Sequence, residues 1–188
     1  KLKSNKASPP LQGKIALITD ATNEIGSNCV QSLLAQGAAV IALSSDSKIA
    51  SIINLPACLH LECEIGDAES LDQAMAKAIE AFGGLDILII NDASQAEEVS
   101  LLLQAALPFL ELGIDPSISI LGTNATNAVQ SIRLAIGEQS SESIRISAID
   151  PNSQTAYASY RSAKSTEAPL SNETVTRLVT SSASESHS

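Results

Sequence analysis

The sequence predicts an α/β fold: a Rossmann-like, doubly wound parallel sheet of about six strands, with helices on both faces in three α/β/α layers. Two observations lead to this prediction. Short, continuous apolar runs alternate along the chain with longer segments in which apolar residues recur at helical spacing. A continuous apolar run is typical of a strand that helices cover on both faces. Strict alternation of strand and helix implies right-handed crossovers between parallel strands.

The predicted elements follow one another without an internal repeat. Strands are expected at residues 14–19, 39–43, 58–63, 86–90, 117–121 and 144–149. Helices are expected at residues 26–36, 67–82, 97–112 and 127–138. Asp67 is of the residue type that caps a helix N-terminus, and Gly37 and Gly83 are of the type that ends a helix. The third helix is strongly apolar although it contains Pro108.

Composition divides the chain into three parts. Residues 1–10 are polar and basic, end in two prolines, and are expected to form a linker. Residues 11–155 carry the alternating pattern and are expected to form the Rossmann-like domain. Residues 156–188 are a C-terminal extension whose Ser-rich tail is expected to fray. Because the chain begins with Lys1, we expect a processed product or a piece of a longer polypeptide.

Length, composition and charge argue against a membrane-spanning protein and against a protein that binds nucleic acid. A chain of 188 residues with 44% hydrophobic residues can bury the core of one domain, and the scarcity of aromatics makes that core aliphatic. No apolar run approaches the roughly 20 residues that span a membrane. A net charge of −10 opposes binding to nucleic acid and to anionic membrane surfaces. We therefore expect a soluble protein of the cytoplasm or another intracellular compartment.

The cysteines and histidines give no support for a metal site. Cys29, Cys58 and Cys63 are an odd number with no C-x-x-C spacing, which favours a reducing compartment. The two histidines, His60 and His187, are far apart in the sequence. Neither a bound metal nor a histidine-based catalytic triad is expected from this pattern.

Several segments resemble, in order, the motifs of the short-chain dehydrogenase/reductase family. Residues 11–26 (LQGKIALITDATNEIG) are similar to its first strand and phosphate loop, whose pattern is T-G-x-x-x-G-x-G. Residues 82–91 (FGGLDILIIN) resemble F-G-x-L-D-x-L-V-N-N, and residues 144–151 (IRISAIDP) resemble I-R-V-N-x-I-x-P-G. Shorter matches lie at residues 36–40, 64–67 and 106–108. The resemblance covers residues 11–155 and implies a Rossmann fold that binds NAD or NADP.

The phosphate loop departs from the family pattern at two of its three glycines. Asp20 and Glu24 occupy the first and second glycine positions, and Gly26 occupies the third. The glycines let backbone N–H groups approach a pyrophosphate at a helix N-terminus. A carboxylate about 4 Å from a phosphate costs on the order of 4 kcal/mol at an effective dielectric constant near 20. The usual dinucleotide pose should therefore be very weak, and close helix–strand packing is the better explanation of Gly26.

The resemblance assigns further positions to the cofactor, in the phosphate loop and directly after the next three strands. They are Thr19 and Ile25 in the loop, Ser44 and Ser45 after the second strand, Glu64 after the third strand and Asn91 after the fourth. Serines at the ribose position do not discriminate NAD from NADP, and the neighbours of Asn91 break the family's N-N-A-G motif. We interpret the set as vestigial. No bound cofactor is expected, and NAD or NADP is expected only if the site is still competent.

The family's catalytic relay implies a Ser, a Tyr and a Lys. Thr123 falls on the Ser position and keeps a hydroxyl group. The helix at residues 127–138, where the Tyr and the Lys belong, contains neither. Tyr160 and Lys164 have the Y-x-x-x-K spacing of the family, but they follow the sixth strand, and such spacing also arises by chance.

Three hypotheses for function follow. The first is a pseudoenzyme with a structural, assembly or regulatory role; family members often dimerise through helices that correspond to 97–112 and 127–138, so a protein partner or second copy would bind there. The structural alternative is that these apolar helix faces pack in the hydrophobic core of the domain. The second hypothesis is an NAD(P)-dependent oxidoreductase that acts on a carbonyl or alcohol with Thr123, Tyr160 and Lys164. The third is a site for a different small ligand, such as a cation.

Overall fold

The computed structural model describes residues 8–46, 55–92, 95–122, 125–149 and 156–158. Within those residues, the strands are β1 (Ile15–Ile18), β2 (Ala39–Ser44), β3 (Cys58–Glu62), β4 (Ile87–Asn91), β5 (Ser117–Leu121), β6 (Arg145–Ile149) and β7 (Ala156–Ala158). The helices are α1 (Glu24–Ala35), α2 (Ala68–Phe82), α3 (Ala96–Leu110) and α4 (Ala125–Ser143). Every predicted strand and helix is present at its expected place in the chain.

The described strands form one sheet with the order β3-β2-β1-β4-β5-β6-β7. The first six strands of the chain are parallel to one another, which confirms the predicted doubly wound sheet. β7 was not predicted: it pairs antiparallel to β6, with Ala156 opposite Ile149. A strand of three residues is too short to show a period in the sequence, so its position depends on pairing with β6.

The sheet grows in two directions from β1. β2 and β3 extend it on one side, and β4, β5 and β6 extend it on the other. In doubly wound sheets, ligands bind in the crevice outside the carboxyl ends of the strands at this switch point. β1 and β4 lie side by side there, with Ile18 opposite Ile89. The segments that follow β1 and β4 therefore form the candidate site.

Two aliphatic clusters hold the helices against the two faces of the sheet. The larger cluster packs α2, α3 and α4 against one face and includes the fully buried Leu88 and Leu102. The smaller cluster packs α1 against the other face and includes the fully buried Ile18 and Leu33. Burial of such side chains stabilises the fold by about 1.5–3 kcal/mol each. Because α1 is anchored in this way, its first turn is fixed above the end of β1.

The helix ends follow the predicted chemistry, with one difference in α4. An oxygen of the Asp67 carboxylate accepts a hydrogen bond from Ser70 N at 3.0 Å, and Gly83 ends α2 in the left-handed region with φ of 85°. Gly137, with φ of 78° and ψ of 164°, is not helical and divides α4 into two segments. The first segment ends close to the predicted end at residue 138, and the second, which was not predicted, continues to Ser143. None of the described helices is long and apolar enough to cross a membrane.

Asp86 fixes the opposite, amino-terminal edge of the sheet. This residue is only 6% exposed. Its two carboxylate oxygens accept hydrogen bonds from Ile15 N at 2.8 Å and from Ile114 N at 2.7 Å. The carboxylate thus joins the start of β1 to the turn before β5. Sequence analysis treated Asp86 only as the first residue of a strand, because its two partners are distant in the chain.

Candidate functional site

The end of β1 is bonded to the end of β4 through a threonine side chain. Thr19 is fully buried, and its backbone N–H donates to Ile89 O at 3.1 Å. Its hydroxyl group accepts a hydrogen bond from Asn91 N at 2.9 Å and donates to Asn91 O at 3.2 Å. The hydroxyl therefore satisfies both backbone groups of Asn91. Thr19, which we predicted as a cofactor contact, is occupied in joining two strands.

An asparagine that sequence analysis overlooked caps α1. The side-chain oxygen of Asn23 accepts hydrogen bonds from Gly26 N at 2.7 Å and from the Asn91 amide nitrogen at 3.0 Å. The same Asn91 nitrogen donates to Asp20 O at 3.1 Å. Asparagine is a preferred N-cap residue, and this one directly precedes the helix, so its role was predictable. One N–H group that could face an anion at this helix N-terminus is already paired with a protein oxygen.

Gly26 is required by packing. A Cβ atom at this position would lie 2.2 Å from Asp20 O, 2.9 Å from Ala21 Cα and 3.0 Å from the Asn91 amide nitrogen. Two of these three atoms belong to the backbone, so they cannot rotate away. The first turn of α1 therefore touches the loop that leaves β1, and this contact alone accounts for a glycine here.

Asp20 holds a backbone conformation that suits glycine. Its φ is 48°, in the left-handed region, where Asp is tolerated better than most residues. Asp92, which directly follows β4, also has a positive φ, of 64°. Burial raises the pKa of the half-buried Asp20 carboxyl, and the negative charges of Asp92 and Glu64 raise the pKa further. Carboxylates from two other loops thus act on Asp20 at the carboxyl edge of the sheet.

Glu24, at the second glycine position of the family motif, is the first residue of α1 and is exposed. A negative charge in the first turn interacts favourably with the positive end of the helix dipole. The same charge occupies the place where a dinucleotide phosphate would gain that interaction. Ile25, the next residue, is partly buried against the smaller aliphatic cluster. The first turn of α1 therefore presents a carboxylate to solvent and an apolar side chain to the core.

The two serines after β2 have different surroundings. Ser44 is buried, and its hydroxyl lies 3.2 Å from the hydroxyl of Thr22 and accepts a hydrogen bond from Asp46 N at 3.1 Å. Ser45 is exposed and lines an open pocket of about 360 Å³ between β3 and α2. The other lining residues are Glu62, Cys63, Glu64, Ser70 and Lys77. Ser45 and Glu64 are the predicted cofactor residues that face open space together.

The structure describes the predicted cofactor residues but not the predicted catalytic residues. Thr123, Tyr160 and Lys164 all lie outside the described residues. The predicted cofactor residues are described, and Thr19, Asp20, Gly26 and Asn91 meet at one point. Their contacts are with one another, through the loop that follows β1.

Potential metal-ligating side chains do not cluster in the described part of the chain. No group of three or more His, Cys, Asp and Glu side chains there could hold a metal ion. Cys58 Sγ and His60 Nε2 lie 3.3 Å apart on β3, and burial raises the pKa of the Cys58 thiol to about 11. A thiol with that pKa is protonated at neutral pH, so it is a poor metal ligand and a poor nucleophile.

Fold and site together define a class: a Rossmann-type α/β domain whose crevice at the switch point is bordered by the loop after β1. A family model described as short chain dehydrogenase matches residues 14–166 of this chain. The chain belongs to the short-chain dehydrogenase/reductase family, as the motifs at the ends of its strands predict.

Curated relatives match only part of the chain. Dehydrogenase/reductase SDR family member 4 from Sus scrofa is 34% identical over 92 residues, which are 45% of this chain and 32% of that protein. Galactitol 2-dehydrogenase from Agrobacterium fabrum is 36% identical over 87 residues, which are 44% of this chain and 34% of that protein. The chain thus covers about a third of the length of each of these relatives.

Solved structures share the fold at low sequence identity. The 3-ketoacyl-(acyl-carrier-protein) reductase from Brucella melitensis, complexed with NADH, aligns with a TM-score of 0.63 at 22% identity, over 75% of this chain and 76% of that one. The ligand-free aldohexose dehydrogenase from Thermoplasma acidophilum aligns with a TM-score of 0.62 at 18% identity, over 76% of this chain and 68% of that one. These alignments show that the fold is that of the family.

Proposed function

We propose that this chain is a pseudoenzyme of the family, in which the Rossmann-like domain has a structural, assembly or regulatory role and transfers no hydride. The observation that carries the proposal is the pair of carboxylates, Asp20 and Glu24, at two glycine positions of the phosphate loop. The proposal includes residues 11–155 as the functional unit, with a linker before it and a Ser-rich extension after it.

Electrostatic repulsion is the first reason to expect exclusion of a dinucleotide. A carboxylate about 4 Å from a phosphate costs on the order of 4 kcal/mol at an effective dielectric constant near 20. Glu24 is exposed and Asp20 is half-buried, so solvent screening reduces this value. A reduced cost of about 1.4 kcal/mol for each carboxylate still weakens binding about tenfold each, or about a hundredfold together.

The hydrogen bonds of the loop are the second reason. A dinucleotide pyrophosphate binds to free backbone N–H groups at the start of a Rossmann helix. Here the Asn23 side-chain oxygen accepts from Gly26 N, and the Asn91 amide holds that oxygen and Asp20 O in place. A phosphate at this N–H group would have to displace the Asn23 oxygen, which costs about 1 kcal/mol for each bond lost.

Titration with reduced cofactors tests the proposal. The protein is mixed at pH 7.5 with NADH and, separately, with NADPH, and binding is followed through the fluorescence of the nicotinamide and by calorimetry. We expect dissociation constants in the millimolar range or weaker for both. Micromolar binding of either cofactor would overturn the proposal. Adenosine, which has no phosphate, is the control for binding at the remaining polar positions.

A second candidate function is that of an NAD(P)-dependent oxidoreductase acting on a carbonyl or alcohol. It is favoured by the relatives, whose names describe dehydrogenases and a reductase. In this case Thr123 would orient the substrate, Tyr160 would transfer the proton and Lys164 would lower the pKa of that tyrosine. Replacement Tyr160→Phe should then abolish the turnover of a carbonyl substrate panel. Absence of turnover in the wild type would exclude this candidate.

We also propose that α3 and α4 form the surface for a second copy or another protein partner. On α4, Leu134 is 85% exposed; on α3, Leu101 and Ala105 are only partly buried, where they pack against the core and line a groove beside α2. Burial of the Leu134 side chain by a partner would remove apolar surface from water and so favour association.

A further inference from the structure

Strand β3 lies at one end of the sheet and lacks the features that usually protect an edge strand. In the part of the chain that the structure describes, β3 pairs with β2 alone, in an unbroken register from Val40 opposite Cys58 to Ser44 opposite Glu62. Natural edge strands are protected by a bulge, a proline, a lysine or a very short length. The sequence of β3, CLHLE, has neither proline nor lysine, and its register has no bulge. By contrast, β7 at the other end of the described sheet has only three residues.

The backbone of β3 has hydrogen-bonding groups on its outer side. Val40 N donates to Ala57 O at 2.8 Å, so the odd-numbered residues of this segment face β2. Because alternate residues of a strand direct their backbone groups to opposite sides, the N–H and C=O groups of His60 and Glu62 point away from β2. None of the residues that the structure describes bonds to these four groups. The edge therefore offers two donors and two acceptors at the spacing of an extended chain.

The side chains beside this edge define which extended segment fits it. Leu59 is only partly buried where it packs on the α2 side of the sheet, and Leu55, directly before the strand, is 48% exposed. Cys58, His60 and Glu62 alternate with Leu59 and lie on the other side of the sheet. An added strand would place its own alternate side chains next to these two sets. Apolar residues at every second position would thus cover the exposed part of Leu59.

The charges near the outer end of β3 favour a basic segment over a second copy of this chain. Glu62 and Glu64 are both exposed, and Lys77 of α2 is the only cation that lines the described pocket with them. Opposite charges on neighbouring strands attract each other and like charges repel. A second copy would bring the same two carboxylates and a net charge of −10. Lysine or arginine at the positions beside Glu62 would instead be attracted.

We propose that the outer edge of β3 is a docking site for an extended segment of another protein, in which basic and apolar residues alternate. The segment adds to the sheet as a further strand: its backbone bonds to His60 and Glu62, its apolar side chains cover Leu59, and its basic side chains lie near Glu62. This inference goes beyond the proposed pseudoenzyme role, and it holds whether or not the loop after β1 excludes a dinucleotide. The edge is also separate from α3 and α4, which pack against β4, β5 and β6.

Titration of the full chain with a fluorescent peptide tests the docking site. The probe is the peptide Lys-Val-Lys-Val-Lys-Val, blocked at both ends, and Glu-Val-Glu-Val-Glu-Val is the control for charge. We expect the basic peptide to bind with a dissociation constant below about 1 mM and at least about tenfold more tightly than the acidic peptide.

Two methylated copies of the basic peptide test the backbone bonds. One carries N-methyl groups on its lysines and the other carries them on its valines, so both keep the charge of the probe. Since alternate residues of a strand direct their N–H groups to opposite sides, one copy should lose binding at least about tenfold and the other should keep it.

Amide hydrogen exchange followed by NMR locates the bound peptide. In the free chain, the N–H groups of His60 and Glu62 should exchange rapidly and that of Leu61, which faces β2, slowly. Saturating peptide should slow exchange at His60 and Glu62 at least about tenfold. Glu62→Lys should weaken binding of the basic peptide at least about fivefold. Glu111→Lys, the same charge change at an exposed residue after α3, is the matched control and should bind as the wild type does.

Each other result would overturn the docking site. Absence of binding at about 1 mM peptide would exclude it, and equal binding of the basic and acidic peptides would remove the role of charge. Loss of binding in both methylated copies, or in neither, would contradict addition as a strand. Binding that leaves exchange at His60 and Glu62 unchanged would place the peptide elsewhere. Protection of these two amides by self-association of the chain, without peptide, would make a second copy the occupant and contradict the proposal.

Discussion

Replacement Gly26→Ala should destabilise the fold through a backbone collision. The added Cβ atom would lie 2.2 Å from Asp20 O, whereas close carbon–oxygen contacts in proteins are about 3.3 Å. The first turn of α1 and the loop after β1 must therefore separate by about 1 Å. That movement stretches the hydrogen bonds from Gly26 N to Asn23, now 2.7 Å, and from Asn91 to Asp20 O, now 3.1 Å.

The expected loss in the free energy of unfolding can be added up from this collision and the weakened hydrogen bonds. Overpacking costs about 1–3 kcal/mol, and each weakened hydrogen bond costs up to about 1 kcal/mol. Alanine recovers at most about 1 kcal/mol through its higher helix propensity. We therefore expect a net loss of about 2–3 kcal/mol in the free energy of unfolding, which lowers the melting temperature by about 5–10 °C in a chain of this size.

Urea unfolding followed by circular dichroism measures this loss. Gly84→Ala is the matched control, because the nearest atom to its added Cβ would be Ile15 Cδ1 at 4.0 Å. The control should change the free energy of unfolding by less than about 0.5 kcal/mol. Equal midpoints for Gly26→Ala and Gly84→Ala would refute the argument that the α1–loop contact requires a glycine.

Three further predictions concern other parts of the molecule. Replacement Asp86→Ala leaves Ile15 N and Ile114 N without their acceptor, so urea unfolding should show a loss of about 2–5 kcal/mol; an unchanged midpoint would contradict the role of this carboxylate. The raised pKa of Asp20 contributes stability that is present below the ordinary value of 3.8 and is lost as the pH rises through the pKa of the folded state. Asp20→Asn should therefore unfold at higher urea than the wild type at pH 7.5, and the difference should become smaller as the pH is lowered towards 3.8; the opposite order would contradict the sign. If the partner is a second copy, light scattering should show a dimer for the wild type and a monomer for Leu134→Glu, while the same change at Ile114, 75% exposed on a turn at the amino-terminal edge, should leave the dimer intact.

The fold could be predicted because its determinants are local. Continuous apolar runs mark the buried strands, and residues such as Asp67 and Gly83 end the helices by chemistry that is visible in the sequence. β7 could not be predicted, since three residues show no period and their place depends on β6. The second segment of α4, after Gly137, was not predicted because residues 139–143 (QSSES) are polar and show no apolar period.

The residues that follow β1 and β4 could be proposed as a site from the sequence, but their contacts with one another could not be predicted. The hydroxyl of Thr19 bonds to the backbone of Asn91, a residue far along the chain that is brought near by the pairing of β1 with β4. A motif assigns both residues to a ligand, whereas the geometry shows them bonded to each other. The capping role of Asn23 could have been predicted from the sequence, because asparagine is a common N-cap residue.

Comparison of the wild type with the variant D20G/E24G, titrated with NADH at pH 7.5, tests the central claim most directly. The variant restores the glycine pattern of the family loop, and glycine suits the φ of 48° at position 20. If negative side chains are what exclude the pyrophosphate, the variant should bind NADH about a hundredfold more tightly than the wild type. Equal affinities in the two proteins would contradict the claim.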